Sequence, residues 1–473
     1  MMTRLVLPLL AATALSGCNL APKYVRPAGA IPATLPAGTP GAVAADAIGW
    51  RDFFVDPALR DTIALALENN RDLRLAAANV LQARALYRVQ RADLLPTVNG
   101  GASATFTNNV FGAGGGPGGG VGGIPGAGGG GTIEIYQANI GLSAFEIDLF
   151  GRVRNLTEAA LQQYFATEEA QRATQVALIG EVASAYVTLA ADQDRLRIAR
   201  ETLKSFEESL RLTTAQFRIG VASELEQRQA DTNYQAARND IAQITAQIAL
   251  DRNALDLLAG ATVPAGLLPT ELGTRAFTLA DLPADLSSEV LLRRPDVLRA
   301  ERQLRAQNAN IGAARAALFP TISLTATFGT LSTALSGLFG AGSDVWTVAP
   351  SATLPIFDFG RRRGNIRAAE AQAQGAVATY ERTLQVAFRE VADALAQRGT
   401  IGEQVAAREA RANSAAVAAR LSDARYRAGV DSFLVSLDAQ RTAYAAQQDL
   451  VTTRALRATN LVTLYRTLGG GLR

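Results

Sequence analysis

The residue best placed to do chemistry is Cys18, the only cysteine of the chain. It ends an N-terminal run in which Arg4 gives a positive start, Leu5–Leu15 is apolar, and the order Leu-Ser-Gly-Cys follows. An apolar run this short cannot cross a bilayer, so we predict a cleavable export signal over residues 1–17. A lone exported thiol cannot form an internal disulfide, whereas this order is typical of the lipobox of bacterial lipoproteins. We predict that Cys18 becomes an acylated N-terminus; an ordinary signal peptide with a chance cysteine is the alternative.

The rest of the inventory excludes most catalytic chemistry. The chain has no histidine, and its two methionines, Met1 and Met2, leave with the signal. Zinc and soft-metal sites, Ser-His-Asp triads and Cys-His pairs therefore lack their residues. The net charge is only +3, and no lysine- or arginine-rich tract indicates nucleic-acid binding. We expect no enzyme, no cofactor, no metal and no nucleic-acid partner.

The residues that follow Cys18 indicate a tether. Residues 19–45 are rich in Pro, Gly, Ala and Thr, and we assign residues 18–56 to a lipidated N-terminal tether. Asn19 stands where an Asp commonly retains bacterial lipoproteins at the inner membrane, so it favours the outer membrane. Further along, we find no apolar run of transmembrane-helix length, so a membrane crossing would need β-strands.

The mature sequence consists of two related halves, which we place at residues 57–285 and 286–473. Two pairs of positions share a spacing of 224 residues: Asp72 with Asp296, and Pro96 with Pro320. Two motif pairs share a spacing of 209 residues: IDLFGRVR at 147–154 with IFDFGRRR at 356–363, and FRIGVASEL at 217–225 with YRAGVDSFL at 426–434. Constant spacing across separate motifs indicates an internal duplication. The extra residues of the first half include a glycine-rich stretch, 112–131, which we predict to be a loop.

Each half contains two segments in which apolar and small polar residues alternate strictly. We predict strands at about 97–107, 133–149, 321–331 and 345–357. Each is close to the length of a tilted membrane-spanning strand, and their polar faces carry Thr, Ser, Asn and Gly rather than charges. A half-buried soluble sheet is the alternative. Four strands cannot close a barrel around a lumen, so several chains must contribute strands.

The remaining segments predict helices that build a long periplasmic tube. Residues 155–217 and 364–426 are alanine-rich amphipathic stretches without proline, each roughly 95 Å long as a helix. Pairs of shorter helices match each of them in length, which predicts that the shorter ones stack end to end: 225–258 with 71–95, and 433–466 with 296–318. Residues 259–295 contain four prolines and would form a belt at mid-length.

Five motifs in order resemble the TolC-type outer-membrane factors, and more closely the lipoprotein branch that contains OprM. They are the lipobox with APKYVRP at 21–27, RRPD at 293–296, LPIFDFGRRR at 354–363, YRAGVDSFLVSLDAQR at 426–441 and LYRTLGGGL at 464–472. The resemblance implies an α+β membrane protein: a homotrimer whose β-barrel, with four strands per chain, continues into a periplasmic α-helical coiled-coil barrel. It also implies a periplasmic adaptor protein and an inner-membrane transporter of the resistance-nodulation-division class as partners.

The resemblance also implies a gate near the helix tips. By motif position the gate residues are Leu434, Asp438, Arg441, Tyr426 and Glu226, and the tip residues that contact the adaptor are Gly220, Val221, Ser223, Gly429, Val430 and Ser432. Leu434 and Asp438 are four residues apart and share one helix face, so copies around an axis would form an apolar ring and an anionic ring. The alternative is that Leu434 packs within the chain and that Asp438 and Arg441 form a solvated ion pair. For the tips it is a glycine C-cap followed by Ser223 or Ser432 as the next N-cap.

The function that these expectations favour is a passive outer-membrane exit duct of a tripartite efflux system, gated at its periplasmic end. A duct of type I protein secretion would have the same fold. A periplasmic coiled-coil lipoprotein without a pore is a further alternative, and it predicts no membrane strands. A wide lumen lined by Thr and Ser would discriminate little among substrates.

Overall fold

A computed structural model of the chain describes residues 19–28, 31–32, 49–107, 132–273, 277–278 and 288–470. The predicted signal over 1–17, Cys18 and the glycine-rich stretch 112–131 lie outside the described residues.

The described helices and strands follow the order that the sequence predicts, with small differences at their ends. The helices are α1 (Trp50–Phe53), α2 (Pro57–Asn69), α3 (Arg71–Ala92), α4 (Arg152–Arg218), α5 (Glu224–Ala259), α6 (Pro295–Ala316), α7 (Arg361–Arg427) and α8 (Phe433–Thr467). The strands are β1 (Val98–Thr107), β2 (Ile133–Glu146), β3 (Thr321–Ser332) and β4 (Asp344–Thr353). The long helices α4 and α7 have 67 residues each, a few more than predicted. Helix α2 was not anticipated; Asp56 caps its N-terminus by accepting a hydrogen bond from the Leu59 amide at 3.0 Å.

The chain divides into two compact units. The strand unit comprises Met1–Arg26, Gln82–Tyr164 and Arg302–Val377, and the helix unit comprises Pro27–Leu81, Phe165–Glu301 and Ala378–Arg473. Each of the predicted halves, 57–285 and 286–473, contributes residues to both units. The units therefore follow the strand and helix content of the chain, and the division into two repeats stays a prediction.

In the strand unit the four strands form one antiparallel sheet in the order β1-β2-β3-β4. The register of the sheet places the apolar residues of neighbouring strands in the same rows and the polar residues in the rows between them. One row across the sheet is apolar, Val98-Leu142-Ala326-Val348, and the adjacent row is small and polar, Asn99-Gly141-Thr327-Thr347. The sheet thus has one apolar face and one uncharged polar face along these rows. A cross-strand hydrogen bond of 2.8 Å joins the Ser323 and Ser351 hydroxyls.

Two predicted strands end earlier than the sequence suggested. β2 stops at Glu146 instead of 149, because the Asp148 carboxylate accepts from the Arg154 amide at 2.8 Å and turns the chain toward α4. β4 stops at Thr353 instead of 357. Pro355 follows it closely and has no amide hydrogen to donate to a ladder.

In the core of the helix unit, two aromatic residues of the N-terminal part of the chain pack against one near its C-terminal end. The Phe53 ring stacks on Tyr465 with centroids 4.2 Å apart, and Phe54 packs edge-on to both. All three side chains are buried. The predicted belt is described only in part: Asp194 accepts from the backbone amides of Leu272 and Gly273 at 3.2 and 2.8 Å, which attaches that segment to α4.

The predicted end-to-end stacking occurs at two junctions inside the helix unit. At the first junction the Asn70 side-chain amide, just before α3, donates to the Leu258 carbonyl near the end of α5 at 2.9 Å. At the second junction the Arg294 guanidinium, just before α6, donates to the Thr467 carbonyl at the end of α8 at 2.7 Å. The residue pairs correspond by the sequence spacings of 224 and 209 residues. At both junctions the end of one short helix therefore meets the start of another.

Helix α4 contains a longer apolar stretch than we predicted from the sequence. A window of 18 residues within Arg152–Arg218 reaches a mean hydropathy of 1.3, enough by length and composition to cross a membrane, although 56% of it is buried inside the protein. The expectation that no apolar run reaches this length was wrong. The burial accounts for the composition, because α4 supplies core residues such as Val182, Val187 and Leu189.

Candidate functional site

The two helix tips share one backbone geometry. Gly220 and Gly429 have φ of 79° and 73°, the left-handed conformation that glycine adopts without penalty. Their amides donate hydrogen bonds to the Phe217 and Tyr426 carbonyls, at 3.0 and 2.9 Å. The next residue of each turn, Val221 or Val430, donates five residues back in the pattern of a Schellman motif. Both valines are exposed.

The first tip is closed by a capping box. The Ser223 hydroxyl accepts from the Glu226 amide at 3.3 Å, and the Glu226 carboxylate accepts from the Ser223 amide at 2.8 Å. Two amides that α5 could not otherwise satisfy thereby find partners. Ser223 is thus the N-cap that the sequence suggested. Glu226 lies in the box as its third helical residue, and its assignment to the gate stays a prediction.

The second tip is closed by an ion pair instead. Ser432 occupies the N-cap position of α8 but makes no side-chain capping hydrogen bond, so the alternative that its side chain caps this helix does not hold. Val435 occupies the position of Glu226 and has no carboxylate, so this tip also lacks the reciprocal half of a capping box. The Arg425 guanidinium holds the Asp431 carboxylate through two hydrogen bonds of 2.6 and 2.9 Å. This bond to Arg425 lowers the pKa of Asp431.

Tyr426 joins the two tips within one chain. Its hydroxyl donates to the Gln216 side chain at 2.7 Å, and its ring packs on Phe433 with centroids 5.4 Å apart. Burial, followed by the Glu226 carboxylate, raises the pKa of Tyr426, so the phenol keeps its proton and remains a donor. The sequence offered no signal for Gln216 as a partner, since the two residues lie 210 positions apart.

The residues predicted to form rings share an exposed stripe of α8. Leu434, Asp438 and Arg441 recur at three- and four-residue intervals, and all three are exposed. The adjoining flank of the helix buries Phe433 and Leu437 against Ala230 of α5. Within the described residues no ion pair joins Asp438 to Arg441, and Leu434 does not pack in the core, so neither part of the alternative reading describes this chain.

Helix α8 is held to its neighbours further along by polar contacts. The Tyr444 hydroxyl donates to Asp240 of α5 at 3.0 Å, and Gln448 accepts from Arg195 of α4 at 3.1 Å. Burial, with the Asp240 carboxylate adding to it, raises the pKa of Tyr444 to about 12. These contacts fix the rotation of α8 and with it the direction of the exposed stripe.

The structure also contains a charged cluster that the sequence did not reveal as a site. Arg294 is almost fully buried and pairs with Asp296 at 2.7 Å and Glu390 at 2.8 Å, at the edge of a cavity of about 210 Å³. Of these residues only the RRPD motif was visible in the sequence. Within the described part of the chain, no group of three or more His, Cys, Asp or Glu side chains lies close enough to hold a metal ion.

Comparison with known proteins places these features in a family. The family model described as outer membrane efflux protein matches residues 62–261 and 286–470. The toluene efflux pump outer membrane protein TtgC of Pseudomonas putida is 45% identical over 464 residues, covering 97% of this chain and 93% of that protein. The outer membrane protein OprJ of Pseudomonas aeruginosa is 42% identical over 468 residues, covering 98% and 95%.

Solved structures agree over nearly the whole length. The open state of the MtrE outer membrane channel of Neisseria gonorrhoeae superimposes with a TM-score of 0.86 at 37% identity, covering 96% of this chain and 99% of that one. The outer-membrane channel OprN gives 0.85 at 32% identity, covering 96% and 100%.

Proposed function

The chain belongs to the outer membrane efflux protein family, and from that premise we propose that it is the exit duct of a tripartite efflux system. It conducts small molecules passively across the outer membrane. The energy and the choice of cargo come from its partners, a periplasmic adaptor and an inner-membrane transporter of the resistance-nodulation-division class. The two tip turns, with exposed Val221 and Val430, form the contact with the adaptor.

The pore is built by several copies of the chain. The sheet of one copy has an apolar face, which suits contact with lipid. Its other face carries rows of uncharged polar residues, which suit contact with water. Its two edges cannot remain unpaired in a bilayer, and four strands are too few to enclose a lumen. Three copies supply twelve strands, and the α-helices of the same copies continue the duct into the periplasm.

The gate is the exposed stripe of Leu434, Asp438 and Arg441, and this stripe is the observation that carries the proposal. Because these side chains point away from the chain's own core, symmetric copies present them to one another around an axis. The leucines form an apolar constriction, and the aspartates a ring of like charge that the arginines of neighbouring copies offset. The tip opens when the polar contacts that hold α8 in place rearrange.

Single-channel recording tests the gate. We expect Asp438→Ala with Arg441→Ala to raise conductance or open probability in planar bilayers, because the double change removes the charged ring. The matched control is Glu224→Ala with Arg228→Ala, an exposed ion pair of the first tip that lies off the stripe. A double variant on the stripe that conducts like the wild type contradicts the gate assignment.

Complementation tests the physiological role. A strain that lacks its own duct and carries the cognate adaptor and transporter should regain resistance to the transporter's substrates when this chain is expressed. If the chain restores export of a type I secreted protein and no drug resistance, the duct serves protein secretion instead.

The N-terminal residues support a lipid anchor at Cys18. Ala21 lies so close to Gly312 of α6 that a β-carbon on Gly312 would stand 2.7 Å from the one on Ala21. Asn308 donates to the Pro22 carbonyl at 2.8 Å, and the Arg305 guanidinium lies 4.6 Å from the centre of the Tyr24 ring. The segment is therefore held against α6, which leads directly into β3. Acylation of Cys18 fits this position.

Two measurements separate acylation of Cys18 from the packing of the N-terminal segment on α6. Labelling with radioactive palmitate should be lost in Cys18→Ser and kept in Gly312→Leu, whereas Gly312→Leu should expose the N-terminal segment to protease. Palmitate incorporation that persists in Cys18→Ser contradicts lipidation at this residue.

A further inference from the structure

The segments that lead from β2 into α4 and from β4 into α7 correspond at the spacing of 209 residues, but they carry different charges. Residues 146–158 contain three acidic and two basic side chains, whereas residues 355–367 contain one acidic and four basic side chains. Both segments lie in the strand unit. The two halves therefore differ in charge at the places where a strand of the sheet is followed by a long helix.

In the first segment each arginine has a carboxylate partner. Arg152 pairs with Glu146, and Arg154 pairs with Asp148 at 3.4 Å. The first turn of α4 thus carries its two positive charges next to two negative ones. Positive charge at the N-terminus of a helix opposes the helix dipole, so this neutralisation stabilises the start of α4.

The carboxylates that pair these arginines have no equivalent in the second segment. The counterparts of Glu146 and Asp148 are Pro355 and Phe357, neither of which carries a charge. Phe357 is 76% exposed, so an apolar ring stands on the surface where the first half has a carboxylate.

The single carboxylate of the second segment, Asp358, is already engaged. It accepts hydrogen bonds from the backbone amides of Gly360 at 3.0 Å and Arg362 at 3.2 Å, and it pairs with the Arg362 guanidinium at 3.6 Å. Arg361 and Arg363 correspond to the two paired arginines of the first half, and both are exposed. Within the described residues no ion pair joins either of them to a carboxylate.

Arg367 adds a further positive charge on the helix face that Arg363 occupies. It stands where the first half has Glu158, so the charge at this position is reversed. Arg363 and Arg367 are exposed and four residues apart, which places them side by side, about 6 Å apart along α7. Like charges at this spacing repel each other, and both lie near the helix N-terminus, where the dipole favours anions. The start of α7 therefore favours an anion from outside the described residues.

Exposed apolar side chains precede these arginines in the chain. β4 ends at Thr353, and Ile356 is 97% exposed beside the exposed Phe357. The order along the chain is thus a strand with an apolar face, then uncovered apolar side chains, then positive charge. A phospholipid leaflet has the matching order of hydrocarbon, interface and phosphate, and its headgroup layer is about 5–8 Å deep. Arg363 and Arg367 fit within that depth.

We propose that Arg363 and Arg367, with Arg361 beside them, bind the phosphate groups of anionic phospholipids in the periplasmic leaflet of the outer membrane. A guanidinium holds two phosphate oxygens at once, and the lipid's negative charge offsets the repulsion between the arginines. Ile356 and Phe357 contact the acyl chains below the same headgroups. The inference rests on the proposed function, because it requires the sheet to lie in the outer membrane. Each copy of the chain carries this site in its second half.

Native mass spectrometry of the protein in a neutral detergent tests the site. The protein should retain added phosphatidylglycerol at a several-fold lower lipid concentration than phosphatidylcholine. Arg363→Gln with Arg367→Gln should weaken the retention of phosphatidylglycerol to that of phosphatidylcholine. The matched control, Arg382→Gln with Arg420→Gln, removes the same charge from exposed positions further along α7 and should bind phosphatidylglycerol like the wild type.

A substitution outside the arginines gives an independent check. Phe357→Asp restores the carboxylate that Asp148 provides in the first half, where it pairs with Arg154. The restored carboxylate should neutralise Arg363 and weaken the retention of phosphatidylglycerol several-fold, although every arginine remains. Phe357→Asn removes the ring without adding charge and should keep most of the selectivity. Equal losses in these two variants mean that charge does not govern binding, which overturns the inference.

The other outcomes separate this site from the proposed function. A wild-type chain that restores drug resistance but retains both lipids alike overturns the inference and leaves the duct intact. Displacement of phosphatidylglycerol by an equal concentration of inorganic phosphate overturns it in favour of a free anion. A double variant at Arg363 and Arg367 that loses its oligomeric state but keeps its lipid selectivity assigns these arginines to contact between copies. Selective lipid retention without conductance in planar bilayers supports the site and contradicts the duct.

Discussion

The two junctions where one short helix follows another have the same backbone plan and different chemistry. At the first junction a β-carbon on Gly260 would lie 2.4 Å from the Asn69 carbonyl oxygen, so the two backbone segments are in contact. The short side chain of Asn70 bridges them. At the second junction a β-carbon on the corresponding Gly469 would lie 3.5 Å from its nearest atom, in the Arg294 side chain, and the guanidinium of Arg294 bonds the Thr467 carbonyl beside the cavity.

The comparison teaches that distance between the elements selects the side chain. Where backbones touch, neutral groups satisfy the last carbonyl without leaving a charge to be solvated. Where they lie further apart, the longer Arg294 side chain makes the bond, and its buried charge is paired with Asp296 and Glu390. The tips repeat the contrast, with a capping box in the first half and the Arg425–Asp431 ion pair in the second.

The largest effect should come from Arg294→Met. The change leaves Asp296 and Glu390 facing each other and the Thr467 carbonyl without its donor, which we expect to cost about 3 kcal/mol because both carboxylates remain partly hydrated. Denaturant unfolding of the detergent-solubilised protein, followed by helical circular dichroism, measures it. Arg299→Met, an exposed position of the adjoining helix α6, is the control and should change little. A loss no larger than that of the control means that the second junction does not depend on the charge.

Replacing the two junction glycines by alanine should sharpen the contrast. Gly260→Ala combines a φ of 68° with a backbone clash, and we expect it to cost about 2 kcal/mol or more. Gly469→Ala has a φ of 94°, but its β-carbon would make only ordinary van der Waals contact, and it should cost about 1 kcal/mol. The same unfolding assay compares them. Equal losses in the two variants contradict a tighter first junction.

Asn70→Ala should have a smaller effect than Arg294→Met. It removes the donor to Leu258 and the acceptor for the Leu73 amide, a loss of about 1 kcal/mol, and leaves no buried charge. Asn70→Ser keeps an oxygen for Leu73 but cannot reach Leu258, so it should recover part of the loss in the same unfolding measurement. If Asn70→Ser is as unstable as Asn70→Ala, capping of α3 contributes nothing.

At the tips, serine removal should affect one half only. Ser223→Ala breaks the capping box and should cost about 0.5–1 kcal/mol, whereas Ser432→Ala removes no capping bond. Amide hydrogen exchange of the first turns of α5 and α8 reports the difference directly. Faster exchange at the start of α8 in Ser432→Ala argues that this serine does cap in solution.

The ion pair of the second tip should make it sensitive to acid. The pKa of Asp431 is lowered in the folded protein, so its bond to Arg425 stabilises the tip above the ordinary pKa of about 3.9 and is lost as the pH falls through the lowered value. Hydrogen exchange between pH 6 and 3, with intrinsic rates divided out, should show loosening at the start of α8. Asp431→Asn should remove that acid dependence.

The sequence by itself located the strands, the long helices and the tips, because these features are encoded in local spacing. Two-residue alternation located all four strands, long stretches without proline located α4 and α7, and the glycine-serine turns located the tips. The motif residues Leu434, Asp438 and Arg441 were found together on one exposed face, as their spacing required. Family membership followed from motifs that occur in order along most of the chain.

The tertiary structure alone decided which distant residues meet. Arg294 bonds Thr467 and Glu390, and Tyr426 bonds Gln216, across separations that no local period encodes. It also decided where β2 and β4 stop and that Ser432 does not cap, since these depend on the partner that each backbone group finds. Local periodicity fixes which face of an element is apolar, but the distance to the opposing element selects the side chain that closes the gap.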